Sequence, residues 1–303
     1  TFCDWYRRYY RLTPKHRVAA YASFGFDADM MDLYPALTTG ATVVIVPEDL
    51  RIDLDALSNY FATKGVTHSF MTTQVGYQFA CNFGTHSTLR YLRVGGEKLA
   101  SLNPPTGYQL FNAYGPTECT IFSTIQPVTC NETNIPIGRP LDTMQAQVVN
   151  RYGKQVPWGA AGELIMRGDQ VGHGYLNQPE KTAAVFVTVA GEKAYRTGDI
   201  VRYRENGDIE FVGRTDGQVK IRGFRIELKE VESAIRLFPN ISDCTVQAFD
   251  LEGGGKYLAA YIVSPETIDV PSLKAFLMEQ KPAYMVPAVI MQIESMPLTP
   301  NGK

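Results

Sequence analysis

Thr42-Val43-Val44-Ile45-Val46 narrows the choice of fold more than any other segment. A continuous apolar, β-branched run of this kind reads as a strand buried on both faces. Its neighbours read as helix and strand in turn. Phe26-Asp27 precedes a helix from Ala28 to about Leu37, with Asp27 at the N-cap and Gly40 as the stop. Leu54 to Phe61 reads as helix, His68 to Met71 as strand, and Leu89 to Val94 and Gln109 to Ala113 as further short strands. The alternation predicts α/β layering with a mainly parallel sheet, in which ligands collect beyond the carboxyl ends of strands. Asn112 to Glu118 would lie at such an end.

The texture changes between Met144 and Gly213. Ala146-Gln147-Val148-Val149, Glu163-Leu164-Ile165-Met166 and Ile209-Glu210-Phe211-Val212 are short β-rich runs punctuated by Gly, Pro and Asn, so a small β-subdomain is expected. After Asp216 comes a compact α+β remainder. A helix carrying Val231, Ile235 and Leu237 precedes strands near Cys244–Ala248 and Leu258–Val263, a helix from Leu273 to Met278 and a strand over Val289–Ile293. Gly253-Gly254-Gly255 reads as a hairpin tip.

With 303 residues, 45% hydrophobic and 20% charged, the chain can bury a large core. A formal charge of −2 gives no reason to expect nucleic acid or an anionic membrane as partner. Cys3, Cys81, Cys119, Cys130 and Cys244 are odd in number, scattered and without a CxxC pair, which argues against a disulfide framework or zinc site and fits a reducing cytoplasm. His16, His68 and His86 have no metal-like spacing.

Six motifs carry a resemblance. Asn112-Ala113-Tyr114-Gly115-Pro116-Thr117-Glu118 comes first, then Gly162-Glu163-Leu164 running to Gly174-Tyr175-Leu176-Asn177. Tyr195-Arg196-Thr197-Gly198-Asp199 follows, then Gly213-Arg214 with Asp216 to Leu228, Tyr284-Met285-Val286-Pro287, and Asn301-Gly302-Lys303. Together and in order they resemble the adenylate-forming enzymes, best known as adenylation domains of nonribosomal peptide synthetases. The resemblance implies an α/β fold: the later part of a large layered α/β domain with a small β-subdomain (1–215), followed by a small mobile α+β C-terminal domain (216–303). It also implies ATP and Mg²⁺, and transfer of an aminoacyl group to a carrier-protein phosphopantetheine thiol, beside neighbouring synthetase domains. The phosphate loop that normally precedes this region is absent, and both ends look like cuts in a longer chain. His173 stands where an arginine is usual and Lys281 where a leucine is usual.

Carried over position by position, the resemblance makes Glu118 the Mg²⁺ ligand, as suits a hard cation that prefers oxygen. Thr117 would donate to a phosphate oxygen, Tyr114 would stack on adenine and Asn112 would read its edge. Read locally, Tyr114-Gly115-Pro116 is also an ordinary tight turn. Asp199 would accept from the ribose hydroxyls, or serve as a turn aspartate; Arg214 would bond ribose or phosphate, or a surface acid. Phe211 lies where the family sets a ring against the nucleotide. Lys303 would neutralise charge that develops at the transition state. Asp216 would be the hinge, and the loop around Gly223 would line the thiolation tunnel.

Asp27 matches the acidic residue that pairs with a substrate α-ammonium in amino-acid-activating members, besides its local reading as an N-cap. The family's pocket positions fall on Ala28, Met31, Phe70, Arg93, Gly95, Ala113, Ile121 and Phe122, with Gly95 and Gly96 as an open floor. The apolar lining suits a branched aliphatic amino acid. Arg93 is discordant: it either snorkels out on its aliphatic stem, which its apolar neighbours favour, or pairs with an acidic substrate. Two other functions remain: an acyl- or aryl-CoA ligase, which Asp27 speaks against, and an inactive truncated fold serving as an interaction module.

Overall fold

Parallel pairing organises the chain up to Tyr114. The computed structural model describes residues 1–221, 223–251 and 255–297. Helix α1 (Phe2–Tyr9) leads into β1 (Arg17–Ala20), α2 (Ala28–Thr39), β2 (Thr42–Ile45), α3 (Leu54–Lys64), β3 (His68–Thr72), α4 (Thr73–Asn82), β4 (Tyr91–Gly95) and β5 (Gln109–Tyr114). β1 pairs in parallel with β2 and β3, β3 with β4, and β4 with β5. Two antiparallel strands, β6 (Thr124–Pro127) and β7 (Arg139–Pro140), complete the order β2-β1-β3-β4-β5-β6-β7.

Local chemistry sets the crossover helices. Asp53 caps α3 by accepting the Ala56 N–H at 3.0 Å, and Gly65 ends it in the left-handed region. Gly40 ends α2 in the same conformation. The capping expectation for Asp27 fails: its backbone is already helical (φ −63°, ψ −23°), and its side chain makes no cap hydrogen bond. An N-cap carboxylate reaches back only from an extended backbone.

The Thr42–Val46 run is also placed differently than expected. It forms a strand, but at the sheet edge, with Ile45 68% exposed while Val44 and Val46 are buried. A β-branched run reports strand preference and cannot say whether a neighbour covers both faces.

Side-chain alternation splits the sheet into two cores. Leu92, Val94 and Leu110 face Leu57, Phe61 and Phe79. Phe111 and Ala113 face Phe2, Trp5, Tyr6, Tyr10 and Met31, from α1 and α2. The register aligns Phe70, Arg93 and Phe111, then Thr72, Gly95 and Ala113.

The expected β-subdomain is an antiparallel sheet of β8 (Met144–Val149), β9 (Gly162–Gly168), β10 (Phe186–Val189), β11 (Glu192–Tyr203) and β12 (Ile209–Arg214), with α5 (Pro179–Val185) before β10. The ladder between β11 and β9 shifts register between Arg196 and Ile200, where Gly198 takes φ 71°. The irregularity redirects Asp199, as bulges beside functional sites commonly do.

The chain divides into two units, Thr1–Thr215 and Asp216–Lys303. The second begins with a hairpin, β13 (Gln218–Ile221) and β14 (Phe224–Glu227). Helix α6 (Leu228–Ile235), β15 (Asp243–Asp250), β16 (Lys256–Val263), α7 (Val270–Gln280) and β17 (Val289–Gln292) follow, with β16 central in a three-stranded sheet. Val231, Ile235, Leu273 and Leu277 pack on Val246, Leu258 and Ile262. Leu237 departs from expectation: α6 ends before it, and it is exposed. Tyr284 stacks on Phe224 with ring centroids 3.8 Å apart, joining two of the motifs. Gly253 and Gly254 lie outside the described residues. No helix among the described residues is long and apolar enough to cross a membrane.

Candidate active site

Asp199 is the organising carboxylate of the first unit. It is 4% exposed and accepts hydrogen bonds on both oxygens, from Tyr114 Oη to Oδ2 and from Arg214 Nη1 to Oδ1, each at 2.5 Å. Arg214 is its cross-strand partner on β12. Tyr114 ends β5, so two antiparallel strands of the β-subdomain and one parallel strand of the main sheet meet at this carboxylate. An ionised carboxylate offers about four lone-pair sites, so the two contacts leave it capable of accepting further donors such as a vicinal diol. Burial raises the Tyr114 hydroxyl pKa well above its usual value, and the Asp199 charge raises it further. Tyr114 therefore stays a proton donor to Asp199. Phe211 is half-buried and packs in the same apolar cluster as Tyr114.

A turn beyond β5 carries the next group. Thr117 and Glu118 lie in a single 3-10 turn, Thr117 exposed and Glu118 half-buried. Tyr175 Oη donates to Glu118 Oε1 at 2.5 Å, which joins the second motif to the first. The Gly172 N–H donates to the Glu118 carbonyl at 2.8 Å. Among the described residues no group of three or more His, Cys, Asp or Glu side chains could hold a metal. A Mg²⁺ site needs no such group, because one or two carboxylates act together with substrate phosphates and water. An oriented carboxylate of this kind fits Mg²⁺, with Tyr175 holding it from behind. Asn112 is buried, and its amide donates to the Pro136 carbonyl at 2.8 Å.

The expected pocket residues gather against α1. Met31, Ala113 and Phe122 are buried in one cluster, with Ala28, Phe70 and Ile121 partly buried against it. Phe122 meets Phe2 and Trp5 edge-on, with centroids 5.1 and 5.5 Å away. Asp27 is half-buried at the start of α2. Only glycine fits at position 95, because a Cβ there would stand 2.6 Å from the Ala113 carbonyl oxygen. Gly96 follows it with φ 108°.

Arg93 does not snorkel. It is 0% exposed, its guanidinium 4.9 Å from the Tyr6 ring centroid and 5.0 Å from that of Tyr10, and its three nitrogens make no hydrogen bond within the described structure. Helix α1 covers the route by which the stem would have reached water, and the tyrosine faces stabilise the cation. Asp32, fully buried on α2, accepts the N–H groups of Tyr21 and Ala22. Burial lifts its pKa to about 7, against the pull of those N–H groups and of Arg93. A folded pKa above the unfolded value adds stability below about pH 4 that is lost as pH rises towards 7. Asp32→Asn is therefore expected to gain stability relative to wild type across that window, by on the order of 4 kcal/mol at most. Denaturant midpoints of both proteins between pH 4 and 8 check this; a constant difference contradicts it.

The sequence gives no role to Tyr175, Gln170, Tyr6, Tyr10 or Asp32. Tyr175 lies inside the motif that runs from Gly162 to Asn177, and the aromatic spacing of Tyr6 and Tyr10 marks a packed helical face. In the second unit, Asp216 is exposed and its carboxylate accepts the Gln218 N–H at 3.2 Å. Gly223 takes φ 83° in the β13–β14 turn. Lys303 lies outside the described residues. His173 Nδ1 meets Lys193 Nζ at 2.8 Å, and Lys281 pairs with Glu230 at 2.5 Å.

Comparison with known proteins adds a lineage to this geometry. The chain is 40% identical over 305 residues to surfactin synthase subunit 2 of Bacillus subtilis (strain 168), an alignment covering 99% of this chain and 8% of that protein. It is 38% identical over 304 residues to bacitracin synthase 1 of Bacillus licheniformis, covering 99% and 6%. The chain thus spans less than a tenth of these relatives. Among solved structures it resembles the Vibrio cholerae adenylation domain AlmE in complex with glycyl-adenosine-5′-phosphate, with TM-score 0.88 and 25% identity over 100% of this chain and 60% of that one. Holo-PA1221, a nonribosomal peptide synthetase protein containing adenylation and carrier-protein domains, gives TM-score 0.83 and 29% identity over 96% and 52%. Within its lineage the chain resembles the adenylation domains of nonribosomal peptide synthetases. The model of the AMP-binding enzyme matches residues 1–176 and that of the AMP-binding enzyme C-terminal domain residues 230–303, and the chain belongs to the AMP-binding enzyme family.

Proposed function

We propose that this chain activates an amino acid as its aminoacyl-adenylate and passes the acyl group to the phosphopantetheine thiol of a carrier protein, beside neighbouring domains of a cytoplasmic synthetase. The observation that carries the reading is the convergence of Tyr114, Asp199 and Arg214 from three separate motifs on one buried carboxylate.

In the first half-reaction a substrate carboxylate oxygen attacks the α-phosphorus of ATP, and the bond to the bridging oxygen of pyrophosphate breaks. Asp199 accepts the ribose hydroxyls while Tyr114 and Arg214 hold it in place. Tyr114 and Phe211 offer ring surface to adenine, and Asn112 lies beside its edge. Thr117 donates to a phosphate oxygen. Glu118 would hold Mg²⁺, which neutralises phosphate charge when bound. Asp27 pairs with the α-ammonium, since a buried ammonium without a partner is very costly. Lys303 stabilises the charge that builds on the attacking and leaving oxygens. In the second half-reaction the thiolate sulfur attacks the acyl carbon and AMP departs with its electron pair. Asp216 is the hinge between the two half-reactions, and Gly223 lines the thiol's approach.

The pocket walls of Met31, Phe70, Ala113, Ile121 and Phe122 support an aliphatic body for the substrate side chain. Buried Arg93 supports an acceptor at its end, so glutamate-like side chains fit better than valine or leucine.

Separating the half-reactions tests the assignment. Lys303→Ala in the intact protein is expected to slow adenylate formation by about 10²–10³-fold while transfer from a supplied adenylate stays within about twofold of wild type. Equal loss in both contradicts it. Activity with CoA and fatty or aryl acids in place of amino acids would favour the ligase alternative.

A further inference from the structure

The turn between Glu118 and Phe122 has an unusual backbone. Thr120 and Ile121 both have positive φ, 59° and 72°. This region disfavours β-branched residues, at about 1–3 kcal/mol each. Such a turn persists only where its surroundings over-determine it.

Gln170 supplies that constraint. It lies 4% exposed in the loop after β9. Thr143 Oγ1 donates to its Oε1 at 2.7 Å, which fixes the orientation of the amide. Gln170 Nε2 then faces three backbone carbonyls of the turn, those of Phe122 at 3.1 Å, Cys119 at 3.3 Å and Thr120 at 3.5 Å. A second set of bonds runs alongside: Thr120 Oγ1 donates to the Gln170 carbonyl at 2.7 Å, and the Gly172 N–H to that of Glu118 at 2.8 Å. The turn also folds back so closely that a Cβ on Gly115 would stand 2.3 Å from Phe122 Cα. Without the amide, carbonyl oxygens of the turn would converge on a buried point that lacks its donor, and each unsatisfied group costs about 1–3 kcal/mol.

The two ends of this turn carry different parts of the proposed site. Thr117 and Glu118 precede it on the phosphate side; Ile121 within it and Phe122 after it lie on the side-chain pocket. We propose that Gln170, touching neither ligand, is the positioning residue that locks these two halves in register and so sets both MgATP affinity and side-chain selectivity. The inference rests on the adenylation reading above.

The test uses the full natural polypeptide and amino-acid-dependent ATP–pyrophosphate exchange. Gln170→Leu keeps the volume and removes the donors. It is expected to raise the KM for MgATP and for the amino acid together, each by about tenfold or more, since small misplacements carry effects of that size. It should also flatten the preference between amino acids differing by one methylene. A purely structural role would lower the melting temperature and leave the KM values and the preference unchanged, which would overturn the proposal. Thr143→Val removes only the bond that orients the amide. It is expected to shift the same parameters in the same direction by a smaller factor, and decides the matter should Gln170→Leu not fold; unchanged parameters in Thr143→Val would then overturn the proposal. Wild-type exchange is read first. Its absence with every amino acid removes the adenylation reading and this inference with it, whereas wild-type exchange with unaltered variants removes the inference alone.

Discussion

Asp199→Ala is expected to reduce amino-acid-dependent ATP–pyrophosphate exchange by about 10²–10³-fold, the scale on which a preorganised electrostatic group acts. The same substitution leaves Arg214, whose side chain is 14% exposed, and the Tyr114 hydroxyl facing a void where the carboxylate stood. Removing one partner of a buried pair costs about 3–5 kcal/mol, so unit stability falls as well. Asp199→Asn separates the two effects. It keeps the volume and one acceptor oxygen, so folding is largely retained while the KM for ATP still rises. A folded Asn variant with the wild-type KM for ATP would confine Asp199 to a structural role.

The second large effect concerns Arg93. A buried guanidinium short of hydrogen-bond acceptors is destabilising by several kcal/mol, which two tyrosine faces at about 2 kcal/mol each and the neighbouring Asp32 offset in part. A side-chain acceptor on the substrate would supply what the fold leaves out. Arg93→Leu is therefore expected to keep or raise the melting temperature while reversing selectivity. Acceptor-bearing amino acids such as glutamate lose their advantage, and leucine or isoleucine gain, with a combined change of about 10³-fold or more, because sites built to hydrogen-bond discriminate strongly. Exchange assays over a panel of amino acids measure it. An unchanged preference for aliphatic amino acids in both proteins would show that Arg93 serves the fold alone.

What the sequence disclosed and what it hid have separable physical causes. The motifs singled out Tyr114, Asp199 and Arg214, and the structure brings their side chains together through a strand end, a bulge at Gly198 and a cross-strand pair. The α/β alternation was legible as well, since helices stopped by Gly40 and Gly65 announce themselves. Helix α4 was not. Gly76 in its middle weakens a helical reading, and the need for it is tertiary, since a Cβ there would stand 2.2 Å from Val94 Cγ1. Helix α1 carries only weak marks of its start, Thr1 at the N-cap without a side-chain cap bond and Asp4 in the first turn. The burial of Arg93 is hidden for the same reason, since it depends on Tyr6 and Tyr10 at this helix. Gln170 was invisible because its bonds to the turn reach 48 to 51 residues back along the chain. A polar residue in a loop reads as solvated until the fold brings those carbonyls to it.

The central claim, that the carboxylate activated here belongs to an amino acid, is tested most directly by ATP–pyrophosphate exchange with paired acids on the full natural polypeptide. Each amino acid is set beside its des-amino counterpart, with the same side chain and no α-ammonium for Asp27 to hold. Exchange is expected with at least one amino acid, with loss of about 10²-fold or more for its partner, since a site that binds a substrate polar group discriminates strongly against an analogue lacking it. Equal exchange with both members of the pair would contradict it.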